Sequence, residues 1–319
     1  MKQMFIWFVL IVLVGSSMGC AMQTETISST ETIMSSGAED TNGDTEEVET
    51  TTVITIDEQF TTSDYEVGSI ADEYSTITLG NGATIAESDV VIVHGDTITI
   101  TEGGTYYIEG ALENGQIIIQ ADAEDKVQLV LDNVTITNYT SPVIYCVEAD
   151  KVFITTESNS HNILQATLAL SDTEEVNLDA TIFARTDLTL NGGGTLVVES
   201  IDGNGITSKD DLVFTSGTYE IVADNHGLEA NDSIRIAGGT ISIHAKGDGM
   251  QSEHDEDSAL GYLYIAGGTF QIVAEDDGLQ SSSLIQIVEG VFSISAGDEA
   301  MNAPEEPIIT GGTFAIEEN

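Results

Sequence analysis

Carboxylates recur along this chain at a fixed interval. Asp248, Asp277 and Glu299 each open a short turn, in Asp248-Gly249-Met250, Asp277-Gly278-Leu279 and Glu299-Ala300-Met301. Asp276 and Asp298 keep the same interval one residue earlier, as do the pairs Asp202 with Asp224 and Asp210 with Asp232, the last flanked by Asp211. If equivalent positions stack at strand spacing, about 4.8 Å, two full charges repel by roughly 1 kcal/mol in water and about 3 to 4 kcal/mol at an effective dielectric near 20. A hard cation with oxygen ligands offsets that repulsion. Calcium suits it, because calcium accepts about six to eight oxygens in flexible geometry and backbone carbonyls complete the shell. The candidate ligands are Asp210, Asp211, Asp224, Asp232, Asp248, Asp276, Asp277, Asp298 and Glu299. The competing account is that acidic corner residues satisfy turn backbone through their own side chains. Asn204 and His226 continue the Asp248 column without its charge, so calcium is expected in the later coils.

What would stack these residues is an internal repeat. Gly193-Gly194-Thr195, Ser216-Gly217-Thr218, Gly238-Gly239-Thr240, Gly267-Gly268-Thr269, Glu289-Gly290-Val291 and Gly311-Gly312-Thr313 recur with third positions 23, 22, 29, 22 and 22 residues apart. The Asp-Gly-type turns keep step, so the long interval is one insertion, around Glu253 to Tyr262. Between the markers apolar residues alternate, as in Ile234-Arg235-Ile236 and Ile241-Ser242-Ile243, which is the period of a strand with one buried face. Three short strands and three corners in about 22 residues make one coil of a parallel β-helix, whereas a propeller blade needs nearly twice that length. The expected fold is therefore all-β, a single-stranded right-handed parallel β-helix over residues 88–319, with residues 53–87 assigned as a candidate N-terminal cap. Tyr219 aligns with Ile241 and Phe270 and is assigned to the core.

Composition bounds the function. The 319 residues carry 55 Asp and Glu against seven Lys and Arg, a formal charge of −48, which excludes the cationic, counterion-releasing surface that nucleic-acid binding needs. Met1-Lys2 leads into the apolar run Met4 to Val14 and then Gly15 to Cys20, the pattern of an export signal ending in a lipobox, with Cys20 as the lipidation site. Residues 21–52 are rich in Ser, Thr and Glu, the composition of a flexible tether. The expected protein is an exported lipoprotein, held on the cell surface by a membrane anchor. Cys146 is then the other cysteine of the chain and is read as a small core residue.

The runs Glu102-Gly103-Gly104-Thr105-Tyr106, Leu129 to Ile136, Gly205-Ile206-Thr207-Ser208-Lys209-Asp210-Asp211-Leu212 and Ala274-Glu275-Asp276-Asp277-Gly278-Leu279 resemble the calcium-containing carbohydrate-binding β-helix proteins of cellulolytic clostridia and their relatives. The resemblance spans about Thr97 to Asn319. It implies bound calcium, an extracellular and often lipid-anchored β-helix akin to pectate-lyase-like folds, and binding of plant cell-wall polysaccharide such as polygalacturonate or cellulose. Asn204 and Asn225-His226 depart from the family's Asp-Asp. An acidic protein cannot attract an acidic polysaccharide directly, but calcium held by an acidic column bridges to uronate carboxylates; Lys209 and Arg185 are further candidate ligand-binding residues. A neutral glucan needs aromatic platforms, for which Tyr262 and Tyr264 on the insertion and its exit are expected to be exposed. The rival class is a calcium-dependent polysaccharide lyase with Lys209 as its base. A surface adhesin or spacer is the third. The five histidines lack zinc-site spacing and are read as surface residues.

Overall fold

The computed structural model describes residues 59–68, 73–168 and 178–318. The signal, the lipobox Cys20, the tether and the start of the segment assigned as a cap lie outside them. Within them the chain winds as a parallel β-helix. Each coil contributes one strand to each of three faces, illustrated by Ser233–Ile236, Thr240–Ala245 and Met250–Ser252. Each strand pairs in parallel with its counterpart one coil on, at Tyr262–Ile265, Thr269–Ala274 and Leu279–Ser281.

Alternation of apolar and polar residues decides which side chains enter the coil. Leu212, Ile234, Leu263 and Ile285 form one inward ladder. Tyr219, Ile241, Phe270, Phe292 and Phe314 form the second, and Ile206, Leu228, Met250 and Leu279 the third. All but Phe314 are buried. The phenylalanine rings stack at centroid spacings of 4.5 and 4.8 Å, the rise of the coil itself. Tyr219 is in this core as expected, its hydroxyl donating to the Ser216 carbonyl at 2.7 Å. Cys146 is buried there too, and burial pushes its thiol up to about 12. At the N-terminal end, Tyr74–Leu79 pairs in parallel with Gly104–Leu112, and Ile85–Ala86 turns back antiparallel onto it.

Two kinds of glycine hold the corners. Gly217, Gly239, Gly268, Gly290 and Gly312 have φ between 105° and 144°, a backbone conformation that side chains disfavour. The glycines of the Asp-Gly turns have no such φ. They are needed because the coils touch there: a Cβ on Gly249 would lie 2.5 Å from the Gly278 carbonyl oxygen and 2.5 Å from Ile272 Cγ2. Ala300 occupies the equivalent place where no described coil stacks on it. Gly249→Ala is accordingly expected to cost about 2 kcal/mol or more, and Ala300→Gly clearly less, read from the denaturation midpoints of the two variants.

On one face the outward residues are buried as well. Phe153, Thr189, Val213 and Tyr264 are within 1% of full burial but do not belong to the central core. Residues 59–68 cover them. This segment, assigned from sequence to a cap, lies instead as a strap along the flank, across the coils. Arg235 donates to the Gln59 carbonyl at 2.9 Å, Phe60 meets Tyr264 at 6.1 Å, and Gln128 donates to the Gly68 carbonyl at 2.8 Å. The strap is pinned by Asp64, 2.8 Å from Lys151, with both side chains at most 8% exposed. Burial alone would raise the Asp64 pKa, but the Lys151 hydrogen bond and charge, aided by Thr189 and Thr61, outweigh it and hold the carboxyl below its usual range. Its folded value therefore lies below the unfolded one, so this contribution is complete above about pH 4 and is lost as pH falls through the folded value. Lys151→Met is expected to destabilise the protein by about 3 kcal/mol, because a buried carboxylate loses its partner, whereas Lys151→Met with Asp64→Leu should recover most of that. Chemical denaturation of both variants checks the order.

Candidate functional site

Stacked corner residues make a hydrogen-bond ladder. Asn204 Oδ1 accepts the His226 N–H at 3.1 Å, His226 Nδ1 accepts that of Asp248 at 3.0 Å, Asp248 Oδ1 that of Asp277 at 3.0 Å, and Asp277 Oδ1 that of Glu299 at 2.9 Å. Each side chain thus satisfies a corner amide of the next coil, and the backbone demands an acceptor but not a charge. That explains how Asn204 and His226 replace Asp. It also corrects the surface reading of His226, which is half-buried in the ladder. His254 is likewise engaged, accepting the Asp257 N–H at 2.9 Å within the insertion.

Where the ladder is acidic, it carries more charge than the backbone needs. Asp248 and Asp277 are 3% and 5% exposed, and their ligand oxygens converge with those of exposed Asp276, all within 4.8 Å of one another. Partial burial and the charges of Asp248, Asp277 and Asp298 push the Asp276 carboxyl up. One oxygen of each buried Asp is committed to backbone, and the other takes an amide, Gln251 on Asp248 at 3.0 Å and Asn302 on Asp277 at 2.6 Å. Between them in the strand register lies Gln280, whose Oε1 is buried without a hydrogen-bond partner. Hard carboxylate and amide oxygens fit a calcium ion. Asp298 and Glu299 are exposed beside this group.

The other acidic candidates gather elsewhere. Asp210 sits among Asp187, Asp211 and Asp232; partial burial and those charges push its carboxyl up to about 6. Asp211 is neutralised by Arg235 and accepts Ser233 Oγ–H, while Asp232 lies 3.8 Å from His254. Asp224 is paired with Lys246 at 2.6 Å rather than with an acidic neighbour. Of the nine candidate ligands, three, Asp248, Asp276 and Asp277, converge.

Lys209 donates to Glu229 at 3.0 Å and lies over the Phe183 ring. Arg185 is exposed and lies over Tyr145. The expected aromatic platform is absent: Tyr264 is buried under the strap, and Tyr262 donates its hydroxyl to Gln59 at 2.9 Å. Both point outward from the coil, but the strap occupies the place of solvent. A row that the sequence reading missed is Thr207, Glu229, Gln251, Gln280 and Asn302, in register down one face. It was signalled by Asp248-Gly249-Met250-Gln251 and Asp277-Gly278-Leu279-Gln280. Beside this row a groove of about 440 Å³ opens under the insertion, lined by Glu229, Gln251, Glu253 and His254.

These features define a parallel β-helix with stacked acidic corners beside an amide-lined face. The chain belongs to the carbohydrate-binding domain-containing protein family, which it matches over residues 94–319. A carbohydrate-binding domain-containing protein of Acetivibrio thermocellus is 35% identical over 158 residues, 49% of this chain and 55% of that protein. The chain thus spans about half the length of this curated relative. The solved structure of a polysaccharide lyase-like protein from C. thermocellum, a gadolinium derivative, superposes with a TM-score of 0.67 at 31% identity, covering 76% of this chain and all of that one.

A carboxyl whose pKa is raised by folding destabilises the fold once it ionises. The Asp210 penalty is absent below the unfolded value, about 3.9, and grows as pH rises through about 6. In chelator, Asp210→Asn should therefore raise the melting temperature at about pH 7 and leave it unchanged at about pH 3; an equal shift at both would contradict the repulsion.

Proposed function

We propose that this chain is a non-catalytic, cell-surface binder of acidic plant cell-wall polysaccharide, of the polygalacturonate class, and that calcium held by Asp248, Asp276 and Asp277 carries the contact. Membership of a carbohydrate-binding family supports a glycan as the ligand. The observation that carries the mechanism is the convergence of those three carboxylates, with ligand oxygens within 4.8 Å, on a protein of net charge −48. Without a cation such a surface repels a uronate. A calcium ion anchored there by the carboxylates keeps positions for sugar carboxylate and hydroxyl oxygens. The likeness to a neighbour solved as a gadolinium derivative agrees with this, since gadolinium is also a hard, oxygen-seeking cation.

Binding is preferred to a lyase reaction because Lys209, the residue put forward as base, is engaged with Glu229. Once the signal is cleaved, lipidated Cys20 and the tether would hold the β-helix off the membrane and within reach of insoluble polysaccharide.

Immobilised polygalacturonate is expected to retain the protein in calcium and release it in chelator, with Asp276→Asn weakening retention about tenfold through loss of one charged ligand. Equal retention in both buffers would contradict the calcium bridge. Unsaturated products, detected by their ultraviolet absorbance, would turn the reading to a lyase.

A further inference from the structure

The face that carries the amide row continues past it, in strict register, to two aromatic rings. Tyr145 pairs with Phe183, Phe183 with Thr207, Thr207 with Glu229, Glu229 with Gln251 and Gln251 with Gln280. One end of this line is the partly exposed Tyr145, set edge-on to Phe183 at 6.0 Å, with the Arg185 guanidinium 5.8 Å above its ring. The other end is the amide row hydrogen-bonded to Asp248 and Asp277.

Arg185 differs from the other cations. Among the described residues every other Lys and Arg has a carboxylate oxygen within 4.0 Å: Lys126, Lys151, Lys209, Arg235 and Lys246 are all paired. Arg185 is exposed, and its one ring contact is with Tyr145. Midway, the Glu229 carboxylate is compensated by Lys209 and accepts hydrogen bonds from Asn204 and Thr207, so it presents no bare charge to an anion.

We infer that this face is a track for a linear acidic glycan lying along the helix axis, with Arg185 and Tyr145 forming a metal-free carboxylate subsite at the end remote from calcium. This rests on the calcium reading above, to which it adds direction and minimum chain length. The Arg185 guanidinium takes a uronate carboxylate in a two-pronged hydrogen bond, and Tyr145 offers its ring to the apolar face of the same sugar. Phe183 and Thr207 are buried beneath this line, the first under Lys209 and the second donating to Glu229, so the hydroxyls of the intervening sugars meet Gln251. From Tyr145 to Gln280 is five register steps, roughly 24 Å at about 4.8 Å each, the length of about five pyranose units. A chain that reaches both ends gains a second contact at high effective concentration, and a shorter one does not.

Oligogalacturonates of graded length, titrated into the full chain by calorimetry in calcium and in chelator, test this. In calcium the affinity should climb with length and level off once the oligomer spans both ends. Arg185→Ala should remove the climb, a loss of about tenfold for long oligomers, while short oligomers bind as before; Arg185→Lys should restore part of it. In chelator, long oligomers should keep weak binding that Arg185→Ala abolishes. If long oligomers bind Arg185→Ala as they bind the unsubstituted protein in both buffers, the track is wrong and the calcium reading stands. If no oligomer binds at any length in calcium, both fall.

Discussion

The structure depends on one constraint: adjacent coils are joined by parallel backbone hydrogen bonds, so each residue lies about one strand spacing from its equivalent in the next coil. That contact makes the core a set of ladders, as in the stacked rings of Phe270, Phe292 and Phe314. It forbids a side chain at Gly249, where the next coil's carbonyl would occupy the place of the Cβ. It also gives each functional group a near neighbour of its own kind. A single acidic corner would be an ordinary solvated turn, whereas the same corner repeated becomes a column of charge.

The column answers two demands at once. The corner amides need acceptors, and Asn204, His226, Asp248 and Asp277 all provide one, so the structural role tolerates several residue types. The charge demand is separate, and it is concentrated where Asp248, Asp276 and Asp277 meet. Asn and His would serve the backbone at those positions too, so the carboxylates there are surplus to the fold's needs. The strap shows the opposite economy: Lys151 and Asp64 are consumed in holding residues 59–68 to the flank and are withdrawn from any ligand.

Much of this was legible in the sequence. The paired markers and two-residue alternation give the coil, its three strands, the insertion and the inward placement of Tyr219, because they reflect a single repeated geometry. The strap was not legible. Its contacts join residues such as Asp64 and Thr189, far apart in the chain, through polar groups with no distinctive pattern. For the same reason Tyr264 was misread: an outward position is normally wet, and only the strap makes it dry. The acidic columns were visible, but which oxygens face one another depends on rotamers and neighbours, so Asp224 proved to be matched with Lys246. Arg185 was visible as a residue and not as an unpaired cation, a property that depends on where all the carboxylates lie.

The central claim is that stacked carboxylates here are a cation site and not only a turn device. Calcium titration of chelator-stripped protein by calorimetry, with thermal melting in parallel, tests it most directly. The account predicts saturable binding heat, a melting temperature raised by calcium at neutral pH, and a gain that shrinks in acid as the Asp276 group takes up protons. Absence of binding heat together with an unchanged melting temperature would contradict it, leaving the column as hydrogen-bond acceptors for the corners alone.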